Sequence, residues 1–130
     1  MADPASPPAG KTQNYVTSKT GNWFLASELA REVGSNGVLS VTQNPGNLKT
    51  NLLRHASTLM RLASSPLIHK AKMGAYTELW AGLSPELTME SNGAYMIPWG
   101  RVHPSPRKDL LDALKSGEEK GGTGQASAFR

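Results

Sequence analysis

Apolar positions along the chain recur with two different periods, which indicates a mixture of helices and strands. Spacings of three and four residues predict amphipathic helices, whereas short β-branched runs bounded by glycine or Asn-Pro-Gly predict strands. The predicted helices are 13–33, 73–83 and 106–116, the predicted strands are 38–43 and 94–98, and a further amphipathic stretch follows Thr50. This order is typical of an α/β fold in which a right-handed crossover joins two parallel strands.

The two ends of the chain differ in composition from its middle. Residues 1–12 are rich in Pro, Ala and Gly, and residues 117–130 are Gly-rich and polar, so both are expected to be loops or flexible tails. The ordered part is then 13–116. Two strands form a poor sheet by themselves, because a parallel sheet needs several neighbours and cover on both faces. The pattern therefore predicts an incomplete architecture.

Gly21 lies inside the first predicted helix. A glycine there costs about 1 kcal/mol relative to alanine. The presence of so small a residue predicts that another part of the protein packs closely against the helix.

Composition and charge exclude several classes of protein. The 130 residues contain no cysteine, and the three histidines lack the spacing of a metal site. No apolar window reaches the roughly 20 residues of a membrane span, and the N-terminus carries no secretory signal, so a cytoplasmic protein is expected. The stretch between Glu32 and Glu78 is basic, but no aromatic residue lies between Phe24 and Tyr76 to stack on bases. A solvated helix face is therefore favoured over nucleic-acid binding.

Tyr15 and Lys19 are four residues apart in the first predicted helix, so their side chains share a face. A phenol is a reluctant acid–base catalyst at neutral pH, and an ammonium group held nearby favours its phenolate form. Such a pair can give a proton to a carbonyl oxygen, or take one from an alcohol, while hydride is transferred. Because similar pairs occur by chance on helix surfaces, the spacing alone favours a structural role.

The motifs that follow the pair make it specific. The helix leads into a predicted strand and then into Asn-Pro-Gly-Asn-Leu-Lys-Thr at 44–50. This order resembles the short-chain dehydrogenase/reductase family, whose Tyr-x-x-x-Lys helix precedes a strand that ends in Pro-Gly-x-x-x-Thr. The resemblance runs from Asn14 onward, through segments such as SVTQNPGNLKT and NGAYMIPWGR. It is nearest to the retinol-dehydrogenase-like oxidoreductases of filamentous fungi.

The resemblance implies a fold and two catalytic residues. The fold is the C-terminal part of a Rossmann-type domain, a doubly wound parallel sheet with flanking helices. Tyr15 is the expected catalytic acid/base. Lys19 is expected to assist it and to hydrogen-bond the nicotinamide ribose, so both residues also contact the cofactor.

The resemblance also implies four further cofactor contacts. Pro45 and Gly46 are expected to turn the chain beside the nicotinamide, where glycine permits a close backbone approach. The backbone of Leu48 and the hydroxyl of Thr50 are expected to hold the carboxamide. The stretch after Thr50 falls where the family places its variable substrate lid. There Leu52, Leu59 and Met60 either line an apolar substrate pocket or pack in the core.

Other motifs of the family are absent from the sequence. The 13 glycines include no Gly-x-x-x-Gly-x-Gly phosphate turn after a predicted strand. Ser6, the only serine upstream of Tyr15, lies in a proline-rich segment and is not assigned the role of the family's catalytic serine.

Together these features predict a truncated oxidoreductase. It would act on a small apolar alcohol or carbonyl compound with NAD or NADP, NADP being slightly favoured. Alone it is expected to bind the cofactor poorly and to have little or no activity. The alternative is a non-catalytic interaction protein, in which an incomplete sheet and exposed apolar helix faces bind a second copy or another partner.

Overall fold

The structure is a computed structural model that describes residues 10–50, 65–117 and 121–129, and it shows helices around a small sheet. The helices are α1 (Lys11–Val33), α2 (Ala71–Leu83), α3 (Lys108–Leu114) and α4 (Gln125–Phe129). The strands are β1 (Thr42–Gln43), β2 (Tyr95–Ile97) and β3 (Arg101–Val102). Short 3₁₀ turns occupy Gly34–Asn36, Ser65–Leu67 and Met89–Ser91. The described residues therefore form the predicted α/β arrangement.

In the described part of the chain, the sheet has three strands in the order β1-β2-β3. β1 runs parallel to β2, with Thr42 opposite Tyr95, so the predicted parallel pair is confirmed. β3 runs antiparallel to β2, with Val102 opposite Met96. Met96 is fully buried at the centre of the sheet. The sequence predicted neither β3 nor the mixed character of the sheet.

The first strand is shorter than predicted. Only Thr42 and Gln43 of the predicted strand pair with β2. Ser40 instead forms hydrogen bonds with the turn at Asn92 and Gly93. The backbone N–H of Ser40 donates to Asn92 Oδ1 at 2.8 Å, and Gly93 N donates to the carbonyl of Ser40 at 2.8 Å. The prediction of a strand over 38–43 is therefore wrong for the residues before Thr42.

The helix positions agree closely with the pattern of apolar residues. α1 and α2 each begin two residues before the predicted start, and α3 lies inside the predicted range 106–116. The amphipathic stretch after Thr50, with its lid residues, lies outside the described residues, as does most of the segment 1–12. In the described part of the chain, no helix combines the length and the apolar character needed to cross a membrane.

The C-terminal segment carries a helix, α4, where the composition favoured a flexible tail. Ala126 of α4 is 1% exposed and packs in an apolar cluster with Phe24 and Ala113. The Phe129 ring meets Phe24 edge-on, with 6.1 Å between ring centres. Five residues are too few to show a helical period or to form a stable helix by themselves. This helix is therefore stabilised by its contact with α1 and not by its own local sequence.

Gly21 allows α4 to lie directly against α1. A Cβ atom at Gly21 would overlap the ring of Phe129, so the predicted close packing is confirmed. The neighbouring Trp23 and Phe24 are buried by this chain itself, and Trp23 Nε1 donates to the carbonyl of Gly93 at 3.0 Å. Both aromatic side chains therefore pack within this chain.

Substitution of Gly21 by alanine tests the contact between α1 and α4. Alanine is favoured in a helix by about 1 kcal/mol, but at Gly21 its methyl group has to displace Phe129, at a cost of about 1–3 kcal/mol. Gly82→Ala is the matched control, because a Cβ there meets open space. Urea unfolding should show Gly21→Ala to be less stable than Gly82→Ala. The difference between the two variants should vanish in a Phe129→Ala background. If Gly21→Ala and Gly82→Ala stabilise the otherwise unmodified chain equally, the contact between Gly21 and Phe129 is contradicted.

Candidate functional site

The position of α1 is set by hydrogen bonds to carbonyl groups on one of its faces. The pairs are Thr42 Oγ1 to the carbonyl of Asn22 (3.3 Å), Ser40 Oγ to that of Ala26 (2.8 Å) and Asn92 Nδ2 to that of Ala30 (3.0 Å). Because the acceptors are four residues apart, they lie one above the other along the helix. These bonds fix both the height and the rotation of α1 beside the sheet. They therefore fix where the side chains of its N-terminal half stand.

Tyr15 and Lys19 lie in that N-terminal half and line one cavity of about 710 Å³. The Lys19 ammonium is 5.5 Å from the centre of the Tyr15 ring, a cation–π distance. Half of the Tyr15 surface is exposed, so its phenol is accessible. Among the described residues that line the cavity, Lys19 carries the only charged side chain.

The Pro-Gly turn forms the opposite wall of this cavity. Asn44 Oδ1 accepts a hydrogen bond from the backbone N–H of Gly46 at 2.8 Å, which folds the chain sharply at the end of β1. Gly46 has a φ of 86°, a left-handed conformation that side chains disfavour. A Cβ at this position would also stand 2.8 Å from Pro98 Cγ. The turn therefore requires glycine for two independent reasons.

The segment after the turn is held against α2. Lys49 N donates to the carbonyl of His69, and His69 N donates to the carbonyl of Asn47, each at 2.8 Å. Gly74 of α2 is buried, and a Cβ there would overlap the Leu48 side chain. α2 therefore supports the cavity wall that contains Leu48.

All six residues predicted from the sequence line the same cavity. They are Tyr15, Lys19, Pro45, Gly46, Leu48 and Thr50. They come from α1 and from the loop that leaves β1, so the tertiary fold brings two separate motifs together. Their individual roles in binding and catalysis stay predictions.

Two further residues of the site were not predicted from the sequence. Asn44 Nδ2 donates to Tyr95 Oη at 3.1 Å, and Tyr95 itself lines the cavity. The Tyr95 ring contacts the rings of Trp23 and His103, at centroid distances of 5.2 and 5.9 Å. An Asn directly before Pro-Gly is a signal for a side-chain-supported turn, so Asn44 was recognisable. Nothing in the sequence places Tyr95 beside it.

A second hollow of about 330 Å³ lies across the turn from Tyr15. Its apolar side chains include Leu48, Leu67, Met73 and Trp99. Trp99 has a φ of 72°, which is uncommon for a residue with a side chain, and its ring meets His69 edge-on at 5.4 Å. Within the described ranges, no group of three or more His, Asp or Glu side chains is arranged to hold a metal ion.

Several curated fungal proteins that are similar to the chain carry the name of one family. A short-chain dehydrogenase/reductase of Neocamarosporium betae is 47% identical over 117 residues, which is 90% of this chain and 33% of that protein. One from Pestalotiopsis fici is 47% identical over 109 residues, 83% of this chain and 34% of that protein. Human retinol dehydrogenase 12 is 35% identical over 95 residues, 72% of this chain and 30% of that protein. The chain belongs to the short-chain dehydrogenase/reductase family.

The family expected from the Tyr-x-x-x-Lys and Pro-Gly-x-x-x-Thr motifs is therefore confirmed. The chain spans about a third of the length of the curated relatives that it matches. No protein-family model matches it, and no solved structure matches it. The names of the relatives favour an oxidoreductase, and nothing favours the alternative of a non-catalytic interaction protein.

Substitution of Gly46 by alanine tests the geometry of the turn. Alanine in a left-handed conformation costs about 1 kcal/mol or more, and the contact with Pro98 adds to this cost. Gly37→Ala is the matched control, because Gly37 has a similar φ of 77° but open space around its Cβ position. Urea unfolding should show Gly46→Ala to be the more destabilised of the two. Equal losses would mean that Pro98 does not confine the turn.

Proposed function

We propose that the chain is the C-terminal portion of an NAD(P)-dependent oxidoreductase domain that interconverts an alcohol and a carbonyl compound. The observation that carries this proposal is the shared cavity, in which Tyr15 and Lys19 face the turn formed by Pro45 and Gly46. The order of the two motifs along the chain, and the 47% identity to fungal members of the family, support it.

The residues of the cavity suit the nicotinamide end of the cofactor. When bound, the nicotinamide supplies or accepts the hydride. Lys19 would hold the nicotinamide ribose by a hydrogen bond, and the glycine turn would permit close approach of a flat ring. Tyr15 donates a proton to the substrate oxygen during reduction and withdraws it during oxidation. The Lys19 ammonium lies over the Tyr15 ring, 5.5 Å from its centre.

The second hollow supports an apolar substrate. It borders the same turn, and Leu48, Leu67 and Met73 give it an apolar wall. For its oxygen to reach the Tyr15 phenol, an apolar substrate would have to extend from this hollow into the cavity lined by Tyr15. Ligand pockets of comparable volume are mostly apolar, with a few polar groups that set orientation.

We further propose that this 130-residue chain alone binds the cofactor weakly and has little turnover. In this type of fold the pyrophosphate rests on a glycine-rich turn and a helix N-terminus, and the sequence contains no such motif after a strand. Without that anchor, the hydride donor is not held at reacting distance from the substrate.

Calorimetric titration of the chain with NADPH and NADH tests the cofactor proposal. We expect neither nucleotide to bind with micromolar affinity, because the cavity surrounds only the nicotinamide end. Micromolar binding of either nucleotide would contradict the proposal that the anchor lies outside this chain.

A chimeric enzyme tests the proposed catalytic role. This chain would replace the matching third of the Neocamarosporium betae relative, and reduction of apolar aldehydes and ketones would be followed by NADPH absorbance. Tyr15→Phe should lower kcat by about 10²–10⁴, the usual contribution of a general acid.

Tyr76→Phe is the control for this chimera, because Tyr76 is 56% exposed on α2. It should leave the rate unchanged. If the Tyr15→Phe chimera is as active as the Tyr76→Phe chimera, Tyr15 is not the acid.

A further inference from the structure

The side-chain amide of Asn44 connects the Pro-Gly turn to Tyr95. Its oxygen accepts from Gly46 N at 2.8 Å, and its nitrogen donates to Tyr95 Oη at 3.1 Å. Only one orientation of the amide allows this, because a reversed amide would place an NH₂ group against the N–H of Gly46. Tyr95 Oη must therefore act as the acceptor, and the two bonds depend on each other.

Tyr95 is itself held by two other rings. Its ring packs against Trp23 of α1 and against His103. Trp23 is buried and is further fixed by its bond to Gly93. The hydroxyl of Tyr95 thus has a position that depends on where α1 lies, and α1 is also the helix that carries Tyr15.

We infer that Asn44 and Tyr95 are positioning residues that set the distance between the Pro-Gly turn and the helix that carries Tyr15. The connection runs from Trp23 to the Tyr95 ring, from its hydroxyl to Asn44, and from Asn44 to Gly46. It rests on the proposed function, because that distance governs hydride transfer only if the nicotinamide lies beside the turn. Misplacement of reacting groups by about 1 Å can lower a rate about 100-fold.

Amide hydrogen exchange of the ¹⁵N-labelled chain reports on the turn directly. Tyr95→Phe removes the acceptor for Asn44, so the Gly46 amide should exchange about five- to tenfold faster, as expected for one lost hydrogen bond. The sheet amides of Thr42 and Asn44, which bond to backbone carbonyls of 94 and 96, should keep their rates. Tyr76→Phe is the matched control and should change neither.

Asn44→Ala is a second variant, which keeps the contacts of the Tyr95 ring with Trp23 and His103. It replaces Tyr95→Phe in the test if that variant folds poorly. It should accelerate Gly46 exchange at least as much as Tyr95→Phe. In the Asn44→Ala background, Tyr95→Phe should add nothing at Gly46, because the two residues act through one connection. Additive effects would overturn the inference, and so would a uniform acceleration of all sheet amides, which would show that Tyr95 only supports the core.

Titration with nicotinamide mononucleotide separates this inference from the proposed function. At millimolar concentration it should shift the Gly46 and Leu48 signals of the unmodified chain, and Tyr95→Phe should weaken that binding about fivefold. If the unmodified chain shows no shift, the nicotinamide site of the proposed function fails, whereas the Gly46 exchange rates still decide whether Tyr95 and Asn44 hold the turn. Equal affinity in the unmodified chain and Tyr95→Phe would overturn the positioning role.

Discussion

Three hydrogen bonds to carbonyl groups of α1 hold the helix to the sheet, and the rest of the described structure depends on where they place it. The donors are side chains of Ser40, Thr42 and Asn92, from the segments before and after the crossover. Helix carbonyls already accept a bond within the helix, so these contacts use their second lone pair. One face of α1 is thereby turned to the sheet, and its N-terminal half is left to form a wall of the cavity.

Small residues decide how closely the other elements approach this arrangement. Gly21 admits the Phe129 ring against α1, and Gly74 admits Leu48 against α2. At the centre of the site, Gly46 allows the chain to turn within reach of Pro98. Each glycine gives up backbone stability for a contact that no larger residue permits. The shape of the cavity therefore depends on glycines, which lack a side chain, as well as on the side chains that line it.

The pair proposed to be catalytic and the Pro-Gly turn could be recognised from sequence because each is a local motif. Tyr15 and Lys19 share a helix face because they are four residues apart, and the Pro45-Gly46 pair indicates a tight turn. Asn44 and Tyr95 differ in this respect, since they are 51 positions apart and meet only in the folded chain. Neither the periodicity of apolar residues nor the spacing of motifs predicts the contact between such a pair. Their contribution to the site became visible through the hydrogen bond and the aromatic stack.

The sequence by itself determined the α/β order, the positions of the long helices and the family, since these follow from local periodicity and from motifs with fixed spacing. Only the tertiary structure decided the length of β1, the presence of β3 and α4, and the burial of Trp23 and Phe24. The physical reason is the same in each case. A two-residue strand or a five-residue helix has no stability of its own, so its existence depends on partners that are distant in sequence.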